Sequence, residues 1–96
     1  MDEQIRWSPK AAVHLESVFT FIAKESPLYA SITIQKILSL IENLSVFPES
    51  GRIVPEYNNP AIRELIYKSY RIVYRIKDNV VEIAAISHAA RKGIDL

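Results

Sequence analysis

The hydrophobic period of this chain changes once, within a stretch punctuated by prolines. Before Pro48 the apolar residues recur at helical spacing, and after Pro60 they alternate. A chain that passes from a period of 3.6 to a period of 2 buries both halves by laying helices against a sheet. Pro48-Glu49-Ser50-Gly51 has turn composition, and the segment from there to Pro60 reads as irregular.

The helical half carries two start signals. Ser8-Pro9 and Ser26-Pro27 each place a hydroxyl N-cap before a proline at the first helical position. Leu15, Val18, Phe19 and Ile22 then predict an amphipathic helix over 9–24. Ala30, Ile34, Ile37, Ile41 and Leu44, flanked by Leu38 and Leu40, predict a second. It should end near Phe47, because Pro48 disfavours helical geometry in the residue before it. So short a link between them predicts an antiparallel hairpin. Ahead of both, residues 4–7 alternate and predict a short strand with Ile5 and Trp7 inward.

Beyond Pro60, residues 62–67, 70–77 and 80–88 predict three strands. Asp78-Asn79 suits a two-residue hairpin turn, since both residues tolerate positive φ. That turn sets Lys77 opposite Val80, Arg75 opposite Glu82, Val73 opposite Ala84 and Arg71 opposite Ile86. One face then holds Tyr70, Ile72, Tyr74, Ile76, Val81, Ile83 and Ala85, apolar enough to pack on the helices. The other carries Arg71, Arg75, Glu82 and, near the strand's end, His88, and is a candidate working surface. The register of 62–67 has two solutions. A Lys68-Ser69 loop puts Leu65 in the core and Glu64 beside Arg71. A loop one residue longer puts Arg63 on the working face and Glu64 inward. The first is favoured, because burying Glu64 without a partner is costly. Arg63 then lies near the sheet rim. The expected architecture is α+β: a short N-terminal strand, a two-helix antiparallel hairpin, then a three-stranded antiparallel sheet.

Composition narrows the functions. Ninety-six residues make one domain, spanning 1–96, with 49% apolar and 24% charged residues, an ordinary globular balance. There are no cysteines, so disulfide and thiolate chemistry are absent, which fits a reducing cytosol. No apolar run approaches the roughly 18 residues of a membrane span. A net charge of +1 does not announce a nucleic-acid binder. Two histidines without cysteine make a zinc site improbable, and neither glycine belongs to a phosphate-cradling loop. His14, with no second ligand at useful spacing, reads as surface. No metal or cofactor is expected.

An ordered set of residues resembles the ParE branch of the RelE/ParE toxin superfamily. It comprises Ser26-Pro27 with Ala30, Leu44, Phe47-Pro48, Gly51-Arg52, Pro55-Glu56 and Ile62-Arg63-Glu64-Leu65. It continues through 70–76 (Tyr-Arg-Ile-Val-Tyr-Arg-Ile) to Ile86-Ser87-His88 and Arg91, so it covers about residues 5–92. The resemblance implies the toxin of a type II toxin–antitoxin pair, with a helix hairpin on a small antiparallel sheet. It also implies a partly disordered antitoxin that folds on the toxin, with Leu28, Tyr29, Ile32 and Leu40 as candidate contacts.

Two activities follow from the superfamily. RelE-type members cut mRNA on the ribosome, and ParE-type members poison DNA gyrase. A metal-free nuclease needs a base, an acid and cations for the phosphate. Arg71, Arg91 and His88 are the candidates here. However, the strand positions that carry lysines in RelE-type nucleases hold Ile62 and Glu64, and no tyrosine follows Arg91. The leading expectation is therefore a non-enzymatic inhibitor whose Arg63, Arg71, Arg91 and Lys92 contact a target such as gyrase. The alternatives are a ribosome-dependent endoribonuclease and an antitoxin-binding relic without toxicity.

Overall fold

The computed structural model describes residues 2–88. The chain runs through β1 (Gln4–Trp7), α1 (Pro9–Ala23), α2 (Pro27–Asn43), β2 (Arg52–Ile53), β3 (Ile62–Tyr67), β4 (Tyr70–Lys77) and β5 (Val80–His88). Both serine caps form: Ser8 Oγ accepts from the Ala11 N–H at 3.0 Å and Ser26 Oγ from the Tyr29 N–H at 3.1 Å. α2 ends at Asn43 rather than near Phe47. From Leu44 to Val46 the N–H groups donate to carbonyls three residues back, a tighter winding that closes the helix before Pro48.

The sheet corrects the expected three antiparallel strands. Among the described residues it is five-stranded and mixed, in the order β1-β5-β4-β3-β2. β1 lies parallel to β5, with Ile5 beside Val81 and Trp7 beside Ile83. β2, inside the stretch expected to be irregular, pairs antiparallel with Arg63 and Glu64 of β3.

Asp78 and Asn79 have φ of 52° and 63°, as a type I′ turn requires. The expected register holds from there through Arg75–Glu82. A β-bulge then makes Ala84 an extra residue: Tyr74 faces Ile83, but Val73 faces Ala85 and Arg71 faces Ser87. Because side chains alternate, this one-residue shift exchanges the faces of the last part of β5. His88, opposite Tyr70, thus shares the helix-side face, not the working surface, and Ala85 moves to the outer one. Ser8 fastens the bulge, donating its N–H to the Ile83 carbonyl and its Oγ–H to the Ala84 carbonyl, each at 3.0 Å.

On the helix side the core joins Ala11 and Val18 of α1, Ile37 and Ile41 of α2, Leu44, and Ile72, Tyr74, Val81, Ile83 and Ile86 of the sheet. Fully burying a large apolar side chain contributes about 1.5–3 kcal/mol before entropy is counted. The outer face, expected to be open, carries a second cluster of Val54, Ile62, Val73 and Ala85. The chain after β2 folds back to form it. The Val54 N–H donates to the Ile62 carbonyl at 3.0 Å, and the Tyr57 and Asn58 N–H groups close on the Val54 carbonyl. Among the described residues no helix is long and apolar enough to cross a membrane.

Candidate functional site

The Lys68-Ser69 turn takes the shorter of the two registers: Tyr67 faces Tyr70, and Leu65 faces Ile72. Glu64 therefore lies beside Arg71. The Arg71 Nε–H donates to Glu64 Oε1 at 2.6 Å, with the two side chains 7% and 0% exposed. The remaining edge of the guanidinium forks onto Glu56, at 3.0 Å from Nη1 and 3.2 Å from Nη2. Arg52, largely exposed, donates Nε–H to Glu64 Oε2 at 2.5 Å. Two guanidiniums and two carboxylates alternate, so the charge of the set cancels. The hydrogen bonds it donates to Glu56 push the Arg71 guanidinium above its ordinary value, against the opposing effect of desolvation. Arginine is a cation throughout the usable pH range in any case.

Two of these four partners were not foreseen. Arg52 and Glu56 lie in the segment read as irregular, and their pairing depends on the loop's return across the outer face. No local pattern in the sequence carries that signal.

Arg63 faces the helix side at the sheet rim. Its Nε–H donates to the Pro60 carbonyl at 2.9 Å, and Nη1–H donates to the carbonyls of Gly51 and Glu49 at 2.9 and 3.3 Å. It pins the loops that flank β2. Beneath it, the buried Tyr74 hydroxyl donates to the Pro48 carbonyl at 2.7 Å and accepts from the Gly51 N–H at 2.9 Å.

The two histidines also act away from Arg71. His88 makes an edge-on contact with Tyr70, with ring centroids 6.0 Å apart. Strand alternation sets it on the face opposite to Arg71. His14 is not a surface residue: half-buried, its Nδ1 accepts the Ile86 N–H at 3.0 Å. β1 ends level with Ile83, so beyond it the edge of β5 is satisfied by side chains of α1 and its cap. Arg91 and Lys92 lie outside the described residues.

Leu28, Tyr29 and Ile32 are exposed on α2, Leu28 most of all at 72%, while Leu40 is half-buried. Phe21 of α1, 68% exposed, adds to this apolar surface and was not anticipated. Among the described residues no group of three or more His, Cys, Asp or Glu could hold a metal ion.

Comparison with known proteins places this geometry. Residues 5–93 match the family described as "ParE toxin of type II toxin-antitoxin system, parDE". The chain is 32% identical over 89 residues to "Toxin RelE2" of Caulobacter vibrioides, covering 92% of this chain and 97% of that protein. It is also 32% identical over 89 residues to "Putative toxin Y4kP" of Sinorhizobium fredii, covering 91% and 88% respectively. Among solved structures, the chromosomal ParDE system of P. aeruginosa superposes with a TM-score of 0.74 at 21% identity, over 90% of this chain and 95% of that one. The RelBE2 complex of Mycobacterium tuberculosis gives 0.59 at 20% identity, over 92% and 99%.

Proposed function

Since the chain belongs to the ParE toxin family of type II toxin–antitoxin systems, we propose that it inhibits growth by binding DNA gyrase, without catalysis of its own. A cognate antitoxin neutralises it by laying apolar side chains on the surface that includes Leu28, Tyr29, Ile32 and Leu40.

The observation that supports a binding role over RNA cleavage is the state of Arg71. Three of its five N–H donors bond Glu64 and Glu56 on a side chain only 7% exposed, and a phosphate would have to displace a carboxylate to reach those edges. His88, the expected acid or base, stands on the other face of the sheet. Arg71 and Arg63 thus act within the fold, and target contact falls to Arg91 and Lys92.

The likeness to a toxin named RelE2 favours a second reading, a ribosome-dependent mRNA endonuclease. Purified protein in a gyrase supercoiling assay, run beside a ribosome-programmed mRNA cleavage assay, separates the two. Lost supercoiling with linearised plasmid and intact mRNA is the expected result. Cut mRNA with untouched gyrase would overturn it.

A further inference from the structure

Where α1 ends beside the β3–β4 turn, three cavities of about 410, 280 and 510 Å³ meet at the ring of Phe21, which lines all of them. Ile22 and Tyr29 are shared by the first two, and Tyr70 and His88 by the last two, so they form one continuous furrow. Its walls are mainly apolar; Lys24 and Glu25 line its first cavity, and among the described residues the middle cavity contains one ammonium and no acid.

That cation is Lys68, at a turn position with φ of 52°. Its ammonium lies 5.3 Å from the Tyr29 ring centroid and 5.8 Å from that of Tyr67, and it donates to the Tyr29 hydroxyl at 3.1 Å. Two rings and one hydrogen bond hold a side chain that is otherwise among the most mobile, and they use only one of its three N–H donors. The arrangement raises the Lys68 pKa through the hydrogen bond to Tyr29, so the positive charge persists. A second polar group in the same cavity is unsatisfied. The Thr33 hydroxyl, 98% buried, has no well-formed hydrogen bond among the described residues, although it sits close enough to the Tyr29 phenol to favour its ionised form slightly.

In the middle cavity, the preorganised Lys68 ammonium between aromatic rings fits one carboxylate flanked by hydrophobic side chains. A nucleic-acid backbone is met by repeated cations, whereas the middle cavity offers one ammonium among the described residues. We propose that this furrow seats a peptide segment of the antitoxin, with apolar residues on either side of Phe21 and one Asp or Glu on Lys68 and the Tyr29 hydroxyl. The inference rests on the antitoxin reading above and assigns its charge-determining contact.

The test uses the full chain and the purified product of the adjacent antitoxin reading frame, titrated by calorimetry. Lys68→Glu should weaken binding by about a hundredfold, within the range for a disrupted interfacial charge pair, and Lys68→Met by about tenfold, less because the ammonium is at the surface. Lys77→Glu, the same charge change at the far hairpin, should leave affinity unaltered. Neutralising the antitoxin's acids one at a time should reveal one whose substitution weakens binding to the native chain and costs nothing against Lys68→Met. A purely structural role for Lys68 would not give that coupling. Unchanged affinity in a folded Lys68→Glu variant overturns the proposal. If the native chain itself fails to bind, the antitoxin reading falls first and takes this inference with it.

Discussion

At the scale of single residues, charge and shape are spent on holding loops. Glu64, whose side chain is 0% exposed, is tolerable because Arg71 and Arg52 take its two oxygens. Arg71→Ala leaves buried Glu64 with only the largely exposed Arg52, so it should cost about 2–4 kcal/mol, somewhat less than a fully unpaired buried charge and still a large share of a small protein's stability. Urea unfolding reads this directly; a loss under 1 kcal/mol would mean that water reaches Glu64. A non-toxic Arg71→Ala variant therefore says little about catalysis, and Glu56→Gln, which leaves Arg71 and Glu64 paired, is the better probe. Tyr74 yields a pH prediction. Burial raises its phenol above the ordinary value of 10.0, so the folded state holds that proton more tightly than the unfolded chain. The associated stability is complete below about pH 10 and declines as pH rises through the folded-state value. Tyr74→Phe should flatten that alkaline decline. At neutral pH it should also cost about 1–3 kcal/mol, because the Gly51 N–H loses its partner. Equal alkaline slopes in both proteins would disprove the assignment.

The elements show what a periodic pattern carries and what it omits. The bounds of β3, β4 and β5 coincide with those read from alternation, and both helices begin at their Ser-Pro signals. The bulge was not legible, because Ala84-Ala85 offers two small residues that suit either face. The parallel placement of β1 was equally silent: alternation in residues 4–7 marks a strand but names no neighbour. The shift at Ala84 decides the site, since it separates His88 from Arg71. It also creates a job for α1, as among the described residues the edge of β5 beyond Ile83 has no strand beside it. Ser8→Ala removes both a helix cap and the partner of the Ala84 carbonyl, and should destabilise by about 1–2 kcal/mol. His14→Ala strips the acceptor from the Ile86 N–H. That amide should then exchange with solvent at least tenfold faster, while Ile83, bonded through the backbone of β1, keeps its protection. Uniform acceleration across β5 would instead point to global unfolding.

Over the whole molecule the two faces of the sheet have opposite characters. The outer face is closed by the loop after β2 and by paired charges, whereas the helix layer leaves Val13, Phe21, Leu28, Val46 and Phe47 each more than half exposed. Part of this was readable: Leu28, Tyr29 and Ile32 fall off the main α2 stripe. Phe21 was not, because its exposure depends on where α1 ends relative to the β3–β4 turn. So much apolar surface on a 96-residue chain is the usual mark of a protein that works in a complex. The thermodynamic consequence is linkage. A partner that binds only the folded chain, supplied at about a hundred times its dissociation constant, adds about 2.7 kcal/mol of stability. For a domain of this size that should raise the melting temperature by about 10–20 °C. The free toxin should also bind a hydrophobic dye such as ANS, and the complex should not. Dye binding retained in a complex of full stoichiometry would place the antitoxin on the outer face and leave the helix layer for the target.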